Sequence, residues 1–293
     1  RIQFLAETET KGTVIFVTSP PSENNREFLS VQHLLSEQGV RVPGVIASDV
    51  EAGWFLLEDF GDTLLSASLT AETAQHWYER AFVVLRQIQR PENTDAWSTL
   101  PRYDRKRLQA ELDVFPQWFI QTFLGLPAGA MADSGFDGLC DVLNDSALAQ
   151  PQTLVHRDFH SRNLMCLLDG SIGVIDFQDA VIGPVMYDPV SLLKDCYIEW
   201  PRLRQLEWLS QFIEGAIDSD IREQASTADW VRWFDLMGLQ RHLKVLGVFS
   251  RLSLRDGKHD YLYDIPRVMR YVREVLAEYA TLGDIAQFTE WWV

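Results

Sequence analysis

The amino-acid sequence predicts an α+β fold with two unequal lobes. Its 293 residues are enough to bury one large core or two smaller ones. Short apolar runs separated by turns fill the first part of the chain, whereas residues 63–150 and 230–279 carry apolar side chains at helical spacing. A hairpin signal at residues 163–176 lies between these helical regions. We therefore expect a small β-rich N-terminal lobe and a larger, mostly helical lobe.

The N-terminal lobe is predicted to begin with a hairpin of residues 2–7 and 13–18, followed by a helix over residues 22–38. Ser22 is the expected cap of that helix, and Gly39 is the expected stop. Two further strands are expected at residues 42–46 and 54–57. Because the chain begins with Arg1 and not with Met, we expect residues to be missing upstream.

Charge and cysteine content restrict the expected partners and compartment. With 26 Lys and Arg residues against 42 Asp and Glu residues, the net charge is −16, which argues against nucleic acid and anionic membranes as partners. No apolar run approaches the roughly 20 residues that cross a bilayer. The three cysteines have no C-x-x-C spacing, which favours a reducing cytoplasm. We expect a cytoplasmic protein, with its oligomeric state left open.

The hairpin at residues 163–176 carries the clearest chemical signal. Asp169 and Gly170 predict a two-residue turn in which both residues have positive φ. In that register Asn163 lies directly opposite Asp176, with Cβ atoms about 5 Å apart. Asp158 precedes the hairpin by a short loop. Oxygen ligands arranged in this way suit Mg²⁺, which takes its remaining ligands from phosphates and water.

A known family shares this pattern. His156-Arg157-Asp158, Asn163 and Ile175-Asp176-Phe177 resemble the catalytic and metal loops of the protein-kinase-like phosphotransferases. The second histidine, His160, and the absence of a downstream Ala-Pro-Glu element resemble the aminoglycoside phosphotransferase and choline kinase branch. The resemblance implies a bilobal kinase-like fold, with residues 1–58 as the N-lobe and residues 59–293 as the C-lobe.

The resemblance also implies roles for individual residues. Asp158 would be the catalytic base, and Asn163 and Asp176 would hold Mg²⁺ beside the phosphates of ATP. The inter-lobe linker that binds adenine would be Leu57, Glu58, Asp59 and Phe60, although an ordinary strand-to-helix turn would also fit this stretch. His160 and Arg162 are expected near the phosphates or the acceptor.

One departure from the family concerns the nucleotide phosphates. The strand predicted at residues 13–18 lacks the lysine that such folds usually supply to the phosphates. Lys11 and Arg26 are candidate substitutes. Metal and backbone donors are the other explanation.

The C-terminal part narrows the acceptor. Residues 233–267 resemble the bacterial anomeric sugar kinases of cell-wall recycling, which phosphorylate the C1 hydroxyl of N-acetylmuramate and N-acetylglucosamine. Arg241, His242 and Lys244 are the candidate acceptor contacts, since a basic patch would suit a lactyl carboxylate; a solvated helix face explains the two cations equally well. The alternatives are a kinase for another acceptor, such as an aminoglycoside or a choline-like amine, and a nucleotide-binding scaffold without turnover.

Overall fold

A computed structural model of the chain describes residues 3–7, 13–20, 23–90, 97–131, 135–215 and 217–279. The chain forms two compact units. The first comprises residues 1–101, 154–181 and 212–218, and the second comprises residues 102–153, 182–211 and 219–293. These units are not the lobes predicted from the sequence, and the lobe boundary at residue 58 stays a prediction.

The first unit contains an antiparallel four-stranded sheet. Its strands are β1 (Gln3–Glu7), β2 (Thr13–Thr18), β3 (Val45–Asp49) and β4 (Trp54–Glu58). They are ordered β1-β2-β4-β3, and Ile15 pairs with Leu57 across the two central strands. Three of the predicted strands are present, whereas the strand predicted at residues 42–46 begins only at Val45 and extends to Asp49. β4 ends directly before the predicted linker.

Helix α1 (Asn25–Glu37) packs on this sheet. Its Phe28 side chain lies against a small core formed by Val17, Phe55 and Leu57. The helix begins after Asn24, and the predicted cap Ser22 lies outside the described residues. Gly39 follows the last turn with a φ of 78°, so the predicted stop is confirmed.

The remaining strands include the predicted hairpin. They are β5 (Gln152–Val155), β6 (Leu164–Cys166), β7 (Ile172–Val174) and β8 (Val181–Pro184). β6 and β7 pair antiparallel, but the predicted register is wrong by one residue. Leu164 pairs with Val174, so that Asn163 faces Ile175 and not Asp176.

The turn explains the shifted register. The loop contains three residues and not two, and among them only Gly170 has a positive φ, of 78°. The N–H of Gly170 donates to the Leu167 carbonyl at 2.9 Å, and the Asp169 carboxylate accepts from Ser171 N–H at 2.9 Å. A turn whose last residue is left-handed is the usual three-residue hairpin connection. An Asp-Gly pair serves both loop lengths, which is why the sequence did not distinguish them.

Helices make up most of the rest of the described chain. They are α2 (Leu65–Ser68), α3 (Ala74–Ile88), α4 (Arg105–Leu112), α5 (Phe136–Leu148), α6 (Tyr187–Leu193), α7 (Arg202–Gly215), α8 (Ser219–Arg222), α9 (Thr227–Leu254) and α10 (Ile265–Glu278), with a π-helix at Phe115–Phe123 and 3₁₀ turns at Ala128–Met131 and His259–Asp264. No helix among the described residues is long and apolar enough to cross a membrane.

Helix α6 starts earlier than the sequence suggests. The Asp188-Pro189 pair predicts a helix with Asp188 as its cap and Pro189 as its first residue, but the cap is Met186. Asp188 lies in the first turn and is fully buried. A carboxylate in the first turn still interacts favourably with the helix dipole.

The core of the second unit forms around α9. Apolar side chains of α9, α10 and the π-helix interlock, among them Phe115, Phe119 and Leu246. Phe115 and Phe119 stack with ring centroids 5.5 Å apart. The aromatic and leucine content of residues 114–126 predicts core and not a ligand site, and the buried Phe115, Phe119 and Ile120 agree with this.

We expect Gly247→Ala to destabilise the second unit. A Cβ at this position of α9 would lie 2.5 Å from the Val114 carbonyl oxygen, and backbone cannot rotate away. The predicted loss is about 1 to 3 kcal/mol of unfolding free energy. Gly138→Ala on α5 is the matched control, since a Cβ there meets nothing within 4 Å. Calorimetric melting checks both variants, and equal melting temperatures would contradict the packing described here.

Candidate active site

Asn163 and Asp176 come together at the open end of the β6–β7 hairpin. The side-chain nitrogen of Asn163 lies 3.4 Å from Asp176 Oδ2 and donates to the Asp158 carbonyl at 3.0 Å. The pair does not arise from the register that we predicted. It arises because Asp176 has a φ of 66°, which turns the chain after β7. The hairpin therefore presents an amide and a carboxylate side by side, as expected, through a different backbone path.

The loop that carries Asp158 is held by backbone hydrogen bonds. The His160 N–H donates to the Asp158 carbonyl at 2.9 Å, and the Asn163 N–H donates to the His160 carbonyl at 2.9 Å. Asp158 is half-buried, and Asp176 is exposed. The backbone that carries Asp158 is thus fixed, and neither carboxylate is fully buried.

His156 fastens this loop to the hairpin. Its Nε2 donates to the Ile175 carbonyl at 3.1 Å, and its Nδ1 accepts from the Asp158 N–H at 3.2 Å. The ring is fully buried, and burial lowers its pKa to about 4. A neutral imidazole with one donor and one acceptor satisfies both contacts. His156 is therefore a structural bridge between the Asp158 loop and the strand that leads to Asp176.

The segment after the predicted linker is tied to the same hairpin and loop. The Cys166 N–H donates to the Thr63 carbonyl at 2.8 Å, and the Ser66 N–H donates to the Ser161 carbonyl at 3.0 Å. These bonds connect Thr63 to β6 and α2 to the Asp158 loop.

A cavity of about 410 Å³ lies within the first unit. One wall is apolar and is formed by sheet and α1 side chains, among them Ile15, Val17, Phe28 and Phe55, while Asn163 and Asp176 line its polar end. Leu57, Glu58, Asp59 and Phe60 of the predicted linker line it as well. The structure thus brings the predicted adenine-binding stretch and the predicted metal ligands to one cavity.

The charged groups in this lining are acidic. They are Glu23, Glu58, Asp59, Asp62 and Asp176, and no Lys or Arg occurs among the described residues that line the cavity. Arg26 lies outside the lining and forms an exposed ion pair with Glu51. Lys11 lies outside the described residues. The candidate substitutes for the missing strand lysine are thus not seen at the cavity.

Two linker carboxylates have fixed positions. Glu58 accepts two hydrogen bonds from the Arg41 guanidinium, one of them at 2.7 Å, and these bonds lower the pKa of Glu58. Asp59 accepts from the Thr13 hydroxyl at 2.5 Å and from the Gly61 N–H at 2.8 Å. The linker is therefore anchored by its side chains, which leaves its conformation well defined.

The other predicted acceptor contacts belong to two different units. His160 is half-buried and Arg162 is exposed, both on the Asp158 loop of the first unit. Arg241, His242 and Lys244 lie on α9 in the second unit. The solvated helix face considered for the two cations is not observed, since Arg241 is 4% exposed and Lys244 is largely buried.

Each of these α9 side chains has contacts within the second unit. Lys244 Nζ donates to Glu111 Oε1 at 2.6 Å and to the Tyr187 hydroxyl at 3.1 Å. His242 is fully buried, donates from Nε2 to the Lys194 carbonyl at 2.9 Å, and stacks on Tyr271. Such contacts give His242 a structural role, and they place Lys244 in a half-buried polar cluster.

Several residues at these sites were missed by the sequence reasoning. Glu23, Asn24 and Asn25 line the cavity because α1 begins there, and the side-chain nitrogen of Asn24 donates to Asp179 at 3.2 Å. Glu111 is the ion-pair partner of Lys244. The capping preference of asparagine marks the start of α1 and was the available signal there. No local signal links Glu111 to Lys244, since α4 and α9 are far apart in sequence.

Comparison with known proteins gives a consistent result. The family described as the phosphotransferase enzyme family matches residues 3–230. The N-acetylmuramate/N-acetylglucosamine kinase of Pseudomonas putida is 41% identical over 275 residues, which cover 93% of this chain and 80% of that protein.

Solved structures show the same fold at low sequence identity. The choline kinase of Streptococcus pneumoniae has a TM-score of 0.65 and 17% identity, covering 94% of this chain and 90% of its own. An AMP-bound spectinomycin phosphotransferase has a TM-score of 0.66 and 13% identity, covering 94% and 91%. The predicted protein-kinase-like α+β fold is confirmed.

The two buried histidines predict acid sensitivity. Burial lowers the pKa of His156 to about 4 and that of His242 to about 3, whereas an unfolded histidine titrates near 6.5. Between pH 6.5 and pH 4 the unfolded state binds more protons, so the free energy of unfolding falls as the pH falls. From pH 6.5 to pH 5 we expect each ring to contribute a loss of about 1 to 2 kcal/mol.

Chemical denaturation at these two pH values measures the loss of unfolding free energy. The His242→Asn variant should show about half of that loss, because one of the two buried histidines that take up a proton on unfolding is absent. Glu58 and Asp235, whose pKa values are lowered from 4.5 and 3.8, lose their contributions at lower pH. An identical pH dependence in wild type and His242→Asn would show that the buried rings are not its source.

Proposed function

The chain belongs to the phosphotransferase enzyme family, as its sequence resemblance implied, and we propose that it is an ATP-dependent anomeric sugar kinase of peptidoglycan recycling. It would transfer the γ-phosphate of ATP to the C1 hydroxyl of N-acetylmuramate or N-acetylglucosamine. The observation that carries the chemistry is the pairing of Asn163 and Asp176 next to the Asp158 loop at the polar end of one cavity. The Pseudomonas putida relative supports the acceptor.

Asp158 is the proposed base. It would accept the proton of the C1 hydroxyl and hold the oxygen in line with the γ-phosphate. An anomeric hydroxyl is more acidic than an ordinary alcohol, so one carboxylate is adequate for this step. The backbone bonds at the Asp158 and His160 carbonyls and the His156 contact keep the backbone of Asp158 in place.

Asn163 and Asp176 are the proposed metal ligands. Their side chains lie close enough to share one ion and are accessible from the cavity, so this donor set suits Mg²⁺. Because the side-chain nitrogen of Asn163 contacts Asp158 and Asp176, its side-chain oxygen would bind the metal. When bound, Mg²⁺ supplies positive charge that neutralises the phosphates. In a cavity without described Lys or Arg side chains, that charge is the main compensation for a polyanion.

The nucleotide would lie along the apolar wall of the cavity. Leu57, Glu58, Asp59 and Phe60 would offer backbone groups to the adenine edge, and Phe28 and Phe55 would contact the rings. Lys11 and Arg26 stay candidates for the phosphates. Since the donor is ATP, we place the reaction in the cytoplasm.

Side chains on the Asp158 loop and on α9 are the proposed contacts of the acceptor sugar. His160 and Arg162 lie on the Asp158 loop and would face the transferred phosphate or the sugar. Arg241 and Lys244 would attract the lactyl carboxylate of N-acetylmuramate, with Lys244 positioned by Glu111. His242 would act indirectly, by fixing α9 from inside the core.

Substituting the proposed base or metal ligand should abolish turnover without unfolding the protein. Asp158→Asn removes the proton acceptor, and Asp176→Ala removes the metal ligand. We expect kcat to fall by about 10³-fold or more in each case. Asp169→Asn at the tip of the same hairpin is the matched control and should keep full activity. Steady-state kinetics and circular dichroism check these variants; a folded Asp176→Ala enzyme with normal kcat would refute the metal assignment.

A panel of acceptors tests the proposed substrate class. Coupled ADP release with Mg²⁺ and ATP is measured with N-acetylmuramate, N-acetylglucosamine, kanamycin and choline. We expect turnover with the two acetylated sugars and a product phosphate that is stable to alkali and labile to acid, as an anomeric phosphate is. Turnover with kanamycin or choline instead would assign another acceptor class. Nucleotide binding without any turnover would favour a scaffold.

A further inference from the structure

The linker and the catalytic hairpin meet at a cluster of four residues, Arg41, Glu58, Phe60 and Gly173, which we call the Arg41 clamp. Arg41 lies between α1 and β3, Glu58 ends β4, Phe60 follows it, and Gly173 is the central residue of β7. All four belong to the first unit. The mechanism proposed above assigns no role to Arg41 or to Gly173.

The Arg41 guanidinium contacts two linker residues, one through hydrogen bonds and the other through a cation–π contact. Its two terminal nitrogens bond the two oxygens of Glu58, one at 2.7 Å, so the pair is bidentate. The same guanidinium carbon lies 4.8 Å from the centroid of the Phe60 ring, which is cation–π geometry. One side chain thereby fixes two of the four linker residues.

Glu58 carries the clamp further into the sheet region. Its Oε2 also accepts the Gly44 N–H at 3.2 Å, and its own N–H donates to the Gly44 carbonyl at 2.8 Å. Glu58 is therefore held from its backbone and its side chain. An exposed ion pair contributes little alone, but this pair shares its partners with three further contacts.

The hairpin side of the clamp consists of backbone. The Arg41 carbonyl accepts the Val174 N–H of β7 at 2.8 Å. Next to it, the Phe60 ring rests on Gly173 so closely that a Cβ there would lie 2.5 Å from a ring carbon. A glycine is required at this position because any side chain would displace the ring. β7 leads directly to Asp176, so the linker and the metal end of the cavity are joined.

We infer that Arg41 is a positioning residue for nucleotide binding, which locks the linker residues Glu58 and Phe60 onto β7 at Gly173. This inference rests on the proposed function, because it assigns the cavity to the nucleotide. Arg41 itself does not line the cavity, whereas Glu58 and Phe60 do. Its effect is therefore exerted through the linker: the clamp sets the distance between the base-binding stretch and the metal ligands.

The clamp predicts a split between binding and chemistry. Arg41→Ala frees the linker, so the dissociation constant of Mg²⁺-ATP should rise by about 10-fold, while kcat at saturating nucleotide changes by less than about 2-fold. Arg41→Lys keeps the charge without the planar fork and should restore binding only in part. Gly173→Ala approaches the clamp from the hairpin side and should weaken nucleotide binding as well, because the Phe60 ring must move.

The matched control is Arg270→Ala. Arg270 forms a bidentate pair with Glu199 of similar exposure, in the second unit and remote in sequence from the linker. The experiment is isothermal titration of Mg²⁺-ATP into wild type and each variant, with kcat measured on N-acetylglucosamine and melting temperature as a check on folding. Weaker binding in Arg41→Ala and Gly173→Ala, with Arg270→Ala equal to wild type, supports the clamp.

Three results would overturn it and can be told apart. If wild type binds nucleotide and turns over, but folded Arg41→Ala and Gly173→Ala bind equally well, the clamp is wrong and the kinase assignment stands. If wild type itself neither binds nor hydrolyses nucleotide, the proposed function fails and the clamp fails with it. An equal loss of binding in Arg270→Ala would show a general stability effect and would also contradict the clamp.

Discussion

Asp176 leaves β7 with a φ of 66°, a left-handed conformation that costs a non-glycine residue about 1 kcal/mol or more. The candidate site depends on this one backbone torsion. The strand register alone would place Ile175 opposite Asn163, and the carboxylate would point away from the amide. Surrounding contacts hold the strained residue. The Asp176 carboxylate accepts a hydrogen bond from the Gln178 side chain at 3.0 Å, and His156 donates one to the carbonyl of the preceding residue, Ile175.

The polar residues around Asp176 have two different roles: a buried neutral histidine fixes the loop, and carboxylates and an amide face the ligand. His156 is neutral and inaccessible, so it can fix the Asp158 loop without competing for protons at physiological pH. The ligand-facing groups are carboxylates and an amide, which bind a hard cation well and a bare polyanion poorly. The proposed nucleotide would therefore need a bound metal ion to offset this acidic lining in a chain of charge −16. That requirement follows from the composition of the lining and agrees with the missing strand lysine.

The sequence predicted the positions of strands and helices better than it predicted the turns and loops that connect them. The Asp169-Gly170 pair located the hairpin, and the spacing of Asp158, Asn163 and Asp176 predicted residues that the structure places in contact. Loop length remained ambiguous, because a left-handed glycine suits both a two-residue and a three-residue turn. The positive φ of Asp176 could not be predicted from the sequence, because aspartate keeps this conformation only where surrounding contacts enforce it.

Long-range pairs were beyond sequence reasoning for a related cause. Arg41 with Glu58, and Lys244 with Glu111, are joined by folding and not by periodicity. Charged residues in a loop or on a helix are mostly solvated, so nothing in the sequence indicated that Arg241 and Lys244 are withdrawn from solvent. His242 illustrates the same limit: a histidine between basic residues looked accessible, yet it fills the core beside Tyr271.

The most direct test is a crystal structure of the protein with Mg²⁺ and a non-hydrolysable ATP analogue. We expect the adenine to lie against residues 57–60 and a metal to be bound by both the Asn163 side-chain oxygen and the Asp176 carboxylate. Asp158 should face the γ-phosphate across the space for an acceptor hydroxyl. A nucleotide bound elsewhere, or a metal that does not bind both of these side chains, would contradict the claim that this hairpin is a phosphotransfer site.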